Sequence, residues 1–167
     1  MSFIIREGEK SDMPAALNLI KELAHFEKES NAVEVTVDEL VKDGFGKTPL
    51  FKIFVAEIAK EIVGIALFYP RYSTWKGLTA HLEDLIVQEA FRGRGTGRQL
   101  LEAAMQWAES IGAQRLHWEV LDWNQPAIDF YEGVGAQVLR DWYPCRLSAA
   151  DIAVFPYTYP RFIESAL

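Results

Sequence analysis

Apolar and polar residues alternate with two periods along this chain, and the changes from one period to the other outline a series of helices and strands. Runs typical of helices, with apolar residues three or four positions apart, follow Ser11, Thr36, Gly95, Asn124 and Ser148. Runs typical of strands occupy 3–6, 51–58, 62–69, 80–87, 116–120, 137–142 and 145–147. The strand at 80–87 is apolar enough to be buried on both faces.

Capping residues support these helix starts. The side chains of Ser11 and Asn124 can accept backbone hydrogen bonds in the first turn of a helix. Thr36 and Glu39 have the spacing of a capping box. Glycine adopts a left-handed backbone conformation without strain, so we place the end of the third helix at Gly112.

The resulting order, β-α-α-β-β-β-α-β-α-β-β, predicts a mixed α/β fold in which helices cover both faces of one sheet. A right-handed crossover through the third helix makes the fifth strand parallel to the fourth. The chain has 167 residues, half of them apolar, which suffices for one domain with a full core. We assign that domain to 1–155 and regard 156–167, rich in aromatic residues and proline, as a C-terminal extension lying along a surface.

Composition argues against several classes of protein. The formal net charge of −7 disfavours a nucleic-acid partner, because phosphate backbones need a basic surface. Cys145 is the single cysteine, which rules out an intramolecular disulfide. His25, His81 and His117 lie far apart in the sequence without the spacing of metal ligands, so we expect ordinary histidines and no metal. We find no signal peptide and no apolar run of membrane-spanning length, and we expect a cytoplasmic protein without membrane contact.

The most specific motif is the glycine-rich run at 92–97, between the strand at 80–87 and the third helix. Backbone N–H groups at such a turn, with the positive end of the helix dipole, bind phosphate oxygens. Arg92, Arg94 and Arg98 add positive charge, so the run predicts a diphosphate site. The dinucleotide fingerprint and the Walker pattern both fail to match the glycine spacing and the residues that follow. A plain glycine turn is the structural alternative.

The same run fits Arg-x-x-Gly-x-Gly, and in this the chain resembles the GNAT N-acetyltransferases, whose acetyl-coenzyme A loop has that pattern. Further short matches, in order and spacing, resemble the diamine acetyltransferase group of this superfamily. They lie at 20–24, 26–27, 43–46, 72–77, 82–84, 122–125, 130–131 and 135–136. The matches at 72–77 and 121–125 are more similar to the thialysine branch than to the polyamine branch, in which an aspartate usually stands at the position of Ser73.

The resemblance implies the GNAT fold, with a mostly antiparallel sheet that opens between the fourth and fifth strands. It also implies a homodimer that transfers an acetyl group from acetyl-coenzyme A to the primary amine of a small molecule. Thialysine-like or lysine-like amino acids come ahead of diamines and polyamines as that substrate. The cofactor-binding residues implied are Leu85, Ile86, Val87, Arg92, Gly93, Arg94, Gly95, Thr96, Gly97, Arg98, Asn124 and Tyr131.

Amine acylation needs a base, because an alkyl ammonium group has a pKa near ~10.4 and is protonated at neutral pH. Glu83 is the candidate base, acting through water as in the resembling family. Its neighbour Asp84 points to the opposite face unless a β-bulge intervenes, and the fourth strand of GNAT proteins carries such a bulge. Tyr131 matches the catalytic tyrosine that protonates the departing thiolate. An ordinary acidic pair and a buried tyrosine are the alternatives.

The amine site is predicted with less support from the residues themselves. Glu27 and Trp75 match positions near the amine in the family, and with Glu83 and Asp84 they form the predicted substrate-binding set. A surface glutamate and a core tryptophan are the alternatives, and Asn124 can serve as a helix cap as well as a cofactor contact. A catalytically silent acyl-coenzyme A sensor is the alternative function, which the presence of Glu83, Asp84 and Tyr131 disfavours.

Overall fold

The structure is a computed structural model that describes residues 3–156 and 158. The chain divides into two units, the first ending at Trp123 and the second beginning at Asn124. All but a few residues of the predicted extension at 156–167 lie outside the described residues, so its placement along a surface stays a prediction.

The first unit alternates between strands and helices in the order expected from the sequence. Its strands are β1 (Ile4–Glu7), β2 (Lys52–Ile58), β3 (Glu61–Ser73), β4 (Gly77–Val87) and β5 (Leu116–His117). Its helices are α1 (Met13–Phe26), α2 (Val37–Phe45) and α3 (Thr96–Ser110). The strands form one sheet in sequence order, antiparallel throughout except for the predicted parallel pairing of β4 with β5.

The helices cover both faces of this sheet. On one face α1 and α2 pack against a buried cluster that includes Met13, Leu40, Ile65, Leu67 and Ile86. On the other face α3 packs against alternate residues, and the Trp107 ring lies 4.7 Å from the Phe68 ring. Burial of each large apolar side chain contributes roughly 1.5–3 kcal/mol to the stability of the folded state. The predicted mixed α/β fold, with helices on both faces of one sheet, is therefore confirmed.

The predicted capping box at Thr36 and Glu39 is present: the Glu39 N–H donates to Thr36 Oγ1 at 3.2 Å, and Thr36 N donates to Glu39 Oε2 at 2.8 Å. The assignment of Ser11 as the first helix cap is wrong. Glu9 and Asp12 instead form reciprocal bonds around a 3-10 turn, Lys10–Asp12, that leads into α1. Asp12 also receives two hydrogen bonds from Arg6, which the sequence pattern alone does not reveal.

The second unit contains α4 (Gln125–Gly133) and α5 (Ala149–Val154), which start at the predicted caps Asn124 and Ser148. The strands predicted at 137–142 and 145–147 are wrong, since the described part of this unit has no regular strand there. Alternating residues form a strand only when a neighbouring backbone pairs with them. For a related reason β5 is shorter than the predicted 116–120: its described pairing with β4 stops at His117. Within 3–156 and 158, none of the helices has the length and apolar character needed to span a membrane.

Candidate active site

A β-bulge in β4 decides where the two adjacent carboxylates point. Leu67 of β3 pairs with Asp84, and the next residue, Phe68, pairs with Leu82, so Glu83 is the extra residue of the bulge. The insertion reverses the alternation of side chains beyond it. Asp84 consequently shares the sheet face of Leu67, which is the face that α1 covers. The predicted bulge is present.

Both carboxylates line one cleft on that face, with a volume of about 430 Å³. The α1 side of the cleft is mainly apolar, and the segment after α1 supplies a further wall. Of the ten residues that line it, four are acidic and none is basic. The acidic residues are Glu27, Glu34, Glu83 and Asp84. A cleft with this charge attracts cations and repels anionic groups.

Two carboxyl groups of the cleft, those of Asp84 and Glu27, have raised pKa values. Burial, together with the charges of Glu83 and Glu27, raises the pKa of Asp84 to about 6. Partial burial and the neighbouring Glu29 also raise the pKa of Glu27, although much of this side chain remains accessible to water. Burial is the largest cause of both shifts, and neighbouring negative charges add to it. A bound cation would stabilise their ionised forms.

Glu83 is held by side chains that the sequence analysis did not select. The Tyr69 hydroxyl donates to Glu83 Oε2 at 2.8 Å, and His81 Nε2 lies 3.5 Å from the same oxygen. On the far side of His81 its Nδ1 is 3.3 Å from Nδ1 of His117, and the two rings stack. His81 and His117 are therefore neighbours despite their distance in sequence, because β4 and β5 pair in register there. In the sequence, only the period-two spacing of His81 and Glu83 along a strand could have indicated that His81 lies next to Glu83.

The glycine-rich run forms an open loop ahead of α3. Gly93 and Gly95 have φ angles of +72° and +84°, a conformation that favours glycine, and no atom lies within 4 Å of the Cβ each would carry. Gly95 is the N-cap of α3 and provides no side chain to the first amides of the helix. Thr96 Oγ1 is buried without a hydrogen-bond partner. The open space at Gly93 and Gly95 and the first amides of α3, which have no side-chain cap, fit a diphosphate bound at the loop.

The three arginines of the run each have a partner within the protein. Arg92 Nε donates to the carbonyl of Val87 at 2.7 Å and fixes the loop to the end of β4. Arg94 donates to the Ala90 carbonyl at 3.2 Å. Arg98 forms an exposed ion pair with Glu102 at 2.9 Å. Each guanidinium has further N–H groups, so these bonds leave room for an anion.

One edge of β4 is open beyond its first half. The described pairing with β5 covers Ala80 and His81 only. On its other edge β4 pairs with β3 as far as Val87. Within the described first unit, no strand pairs with Leu85, Ile86 or Val87 on the β5 side. A ligand with amide groups can therefore add to this edge as a strand does.

The remaining predicted residues lie elsewhere. In the second unit the Asn124 side chain accepts from the Ala127 N–H at 3.3 Å and caps α4. Tyr131 of α4 is buried, which raises its pKa to about 12. In the first unit Trp75, at the turn between β3 and β4, is 79% exposed and does not line the acidic cleft, so it is not a core tryptophan. No cluster of three histidine, cysteine or acidic side chains suited to a metal occurs among the described residues.

A comparison with protein families identifies this architecture. The model of the acetyltransferase (GNAT) family matches residues 17–136. The chain belongs to the GNAT family. Its relatives support the same group: it is 40% identical to the thialysine N-epsilon-acetyltransferase of Bos taurus over 84% of this chain and 88% of that protein. It is also 39% identical to the human spermidine/spermine N(1)-acetyltransferase-like protein 1, over 90% of this chain and 23% of that longer protein.

The same fold occurs among solved structures. An integron cassette protein from the mobile metagenome of V. cholerae superimposes with a TM-score of 0.74 at 23% identity, over 92% of this chain and 96% of that one. Family and relatives together make this protein an acetyl-coenzyme A-dependent N-acetyltransferase that acts on an amine. They give no support to a silent acyl-coenzyme A sensor.

Proposed function

We propose that this GNAT enzyme acetylates a small amine bound in the acidic cleft, with Glu83 as the base. The observation that carries the proposal is the convergence of four carboxylates, without a basic residue, in one cleft beside the open edge of β4. Glu27 and Asp84 hold the positive charge of the substrate, and Glu83 accepts the ammonium proton directly or through water. General base catalysis of this kind contributes roughly 10²–10⁴-fold to a rate.

The donor side of the site uses the glycine-rich loop and the open strand edge. The amides and arginines at 92–98 bind the diphosphate of acetyl-coenzyme A, and the backbone at 85–87 pairs with the pantetheine arm. Asn124 contacts that arm, and the N–H near Leu85 stabilises the tetrahedral oxyanion. Tyr131 protonates the thiolate, since its phenol carries a proton at neutral pH, as it would at the ordinary tyrosine pKa and does at the raised pKa of about 12.

The substrate we propose is a small molecule with a primary amine and a second positive charge. The names of the relatives support a thialysine-like or lysine-like amino acid or a diamine. The negative charge of the cleft favours a diamine over an amino acid, because the cleft carboxylates would repel the α-carboxylate of an amino acid. Trp75 does not line this cleft, and we retain it as a proposed substrate contact outside the cleft because its exposed ring on the β3–β4 turn is accessible to a ligand.

The test is thiol release from acetyl-coenzyme A with thialysine, lysine, spermidine and the five-carbon diamine that is lysine without its carboxylate. We expect turnover with small dications and a lower KM for the diamine than for lysine. Tyr131→Phe should lower kcat without changing the affinity for acetyl-coenzyme A. Absence of thiol release with every amine, despite tight binding of coenzyme A, would contradict the proposal.

We also propose that the enzyme is a homodimer. The exposed aromatic residues Tyr72 and Trp75, on the end of the β3–β4 hairpin, support a partner at this end of the sheet. Light scattering coupled to size-exclusion chromatography should give a mass of about twice 19.0 kDa. A monomer at the concentrations used for activity would exclude the dimer.

A further inference from the structure

His81 and His117 form a histidine pair next to Glu83, and the proposed mechanism has not yet given this pair a role. His81 is largely buried, with 11% of its side chain exposed, whereas Glu83 is 52% exposed at the cleft. His81 contacts Glu83 through Nε2 and His117 through Nδ1. Arg71 contacts His117, the member of the pair farther from Glu83: its Nη1 lies 3.3 Å from His117 Nδ1. A continuous line of nitrogen and oxygen atoms thus runs from the cleft along the sheet.

The hydrogen-bond partners fix the tautomer of His81. The Arg71 guanidinium can only donate, so His117 Nδ1 must be the acceptor in that contact. His81 Nδ1 faces the same His117 atom, and two lone pairs cannot form a hydrogen bond. His81 Nδ1 therefore carries the hydrogen and donates it. In the neutral ring this leaves Nε2 unprotonated, 3.5 Å from Glu83 Oε2.

The contact between His81 Nε2 and Glu83 Oε2 consequently lacks a proton when both groups are in their resting states. Tyr69 cannot accept a proton from Glu83, because its hydroxyl already donates a hydrogen bond to Glu83 Oε2. The pKa of Tyr69 is raised to about 12, mainly by burial. With a substrate covering the cleft side of Glu83, His81 is the basic group that remains in contact with the carboxylate. A proton added at His81 Nε2 would give this 3.5 Å contact the donor that it lacks.

We infer that His81 is a positioning residue that receives the substrate proton from Glu83, an inference that rests on the proposed role of Glu83 as the base. The ammonium N–H bond breaks and its proton moves to Glu83, leaving the nitrogen lone pair free to form a bond to the thioester carbon. The C–S bond then breaks, Tyr131 protonates the leaving thiolate, and the second proton lost by the nitrogen restores the phenol. Glu83 passes the proton to His81 Nε2, which becomes an imidazolium donating through Nδ1 to His117. Bulk water takes the proton after the product leaves, in agreement with the single net proton that acetylation of an ammonium releases.

The surroundings of His81 keep it neutral between turnovers. Burial lowers its pKa, and Arg71 lowers it further, while Glu83 and Glu119 act in the opposite direction. Burial, with the charge of Arg71, also lowers the pKa of His117, to which His81 and Arg115 add. The titratable and charged groups facing the pair from β3, β4 and the β5 segment are Tyr69, Arg71, Glu83, Arg115 and Glu119.

The test is the pH dependence of kcat in a His81→Gln variant of the full chain. Glutamine keeps a polar side chain but cannot take up the proton, so we expect kcat near pH 7 to fall roughly tenfold. The KM for acetyl-coenzyme A should stay unchanged. The deficit should shrink toward pH 10, where roughly 30% of the substrate amine is already neutral. A deficit that is equal at every pH would overturn the inference, because a merely structural defect has no such dependence.

Two further variants separate this inference from the proposed function. His25→Gln is the matched control, since His25 contacts Ser30 outside the network, and it should behave as wild type. Glu83→Gln tests the base itself. Full activity in Glu83→Gln overturns the proposed function, whereas a strong loss there with full activity in His81→Gln overturns the inference alone. In His81→Ala, added imidazole should restore kcat in proportion to its neutral form, and failure of rescue in a folded variant also counts against His81.

Discussion

Asp84 lies opposite Leu67 in the β3–β4 ladder, so a carboxylate stands in register with a buried leucine of the main core. The bulge at Glu83 forces this placement, because without it Asp84 would point to the α3 face. The carboxylate is held in an environment that disfavours its charge, and its pKa rises to about 6 as a result.

The first prediction concerns the cost of this placement. Because the folded pKa of Asp84 lies above its unfolded value of 3.8, ionisation destabilises the folded state as pH rises from about 4 through 6. Asp84→Asn removes the charge and should raise the free energy of unfolding at pH 7 by about 3 kcal/mol. Urea denaturation should show the gain at pH 7 and little difference at pH 4. An equal gain in the free energy of unfolding at both pH values would mean that ionisation of Asp84 is not its cause.

The KM for the amine should rise in the same variant, since the cleft loses a negative charge.

A second prediction follows from the buried hydroxyl of Thr96. An unpaired buried hydroxyl costs roughly 1–3 kcal/mol, and valine has nearly the same shape. Thr96→Val should therefore raise the free energy of unfolding by about 1 kcal/mol in the absence of ligand. If Oγ1 bonds to the bound cofactor, the same change should weaken coenzyme A binding, measured by calorimetry. A variant that is less stable than wild type would show that the hydroxyl has a partner in solution.

A third prediction tests the loop with a pair of glycines. Gly95→Asp introduces a side chain at a φ of +84° and a negative charge where a diphosphate should bind. We expect the Kd for coenzyme A to rise at least tenfold, which corresponds to about 1.4 kcal/mol. Gly77→Asp is the matched control, because Gly77 has a φ of +77° and equally open space on the β3–β4 turn. Similar binding by the two variants would count against the loop as the anion site.

The fourth prediction concerns acid sensitivity of the first unit. Asp12 is buried and accepts hydrogen bonds from Arg6 and from the Glu9 N–H, and the Arg6 bonds are the main reason that its pKa is lowered. Its ionised form therefore stabilises the fold above its unfolded value of 3.8, and this contribution disappears as pH falls through the lowered folded value. Asp12→Asn should cost about 2 kcal/mol at pH 7 and progressively less in acid. Denaturant melts across this range check it, and a constant cost would contradict it.

The parts of the fold that could be predicted are those with a local cause. The capping box at Thr36 and the glycine loop before α3 depend on neighbours in sequence, and both occur where expected. The predicted strands at 137–142 and 145–147 fail because a strand needs a partner that its own residues do not encode. The helix cap at Ser11 fails because Arg6, from β1, reinforces the competing cap at Asp12.

The same distinction, between features with a local cause and features that need a distant partner, applies to the candidate site. Adjacent carboxylates just before a glycine loop were visible in the sequence, and the resemblance supplied the bulge that makes both line one cleft. Glu34 could not be selected, because its place in the cleft depends on the course of an irregular segment after α1. His81 and His117 come together only through the register of a two-residue parallel pairing, which no local pattern specifies.

The bond from Arg92 to the Val87 carbonyl has a consequence for how long a donor molecule the enzyme accepts. It holds the glycine-rich turn against the end of β4, so the two sites proposed to bind the donor, the loop at 92–98 and the strand edge at 85–87, are joined directly. The distance between these two sites is then fixed. A carrier with a shortened arm should dock at one anchor and fall short of the other, however well each half fits by itself.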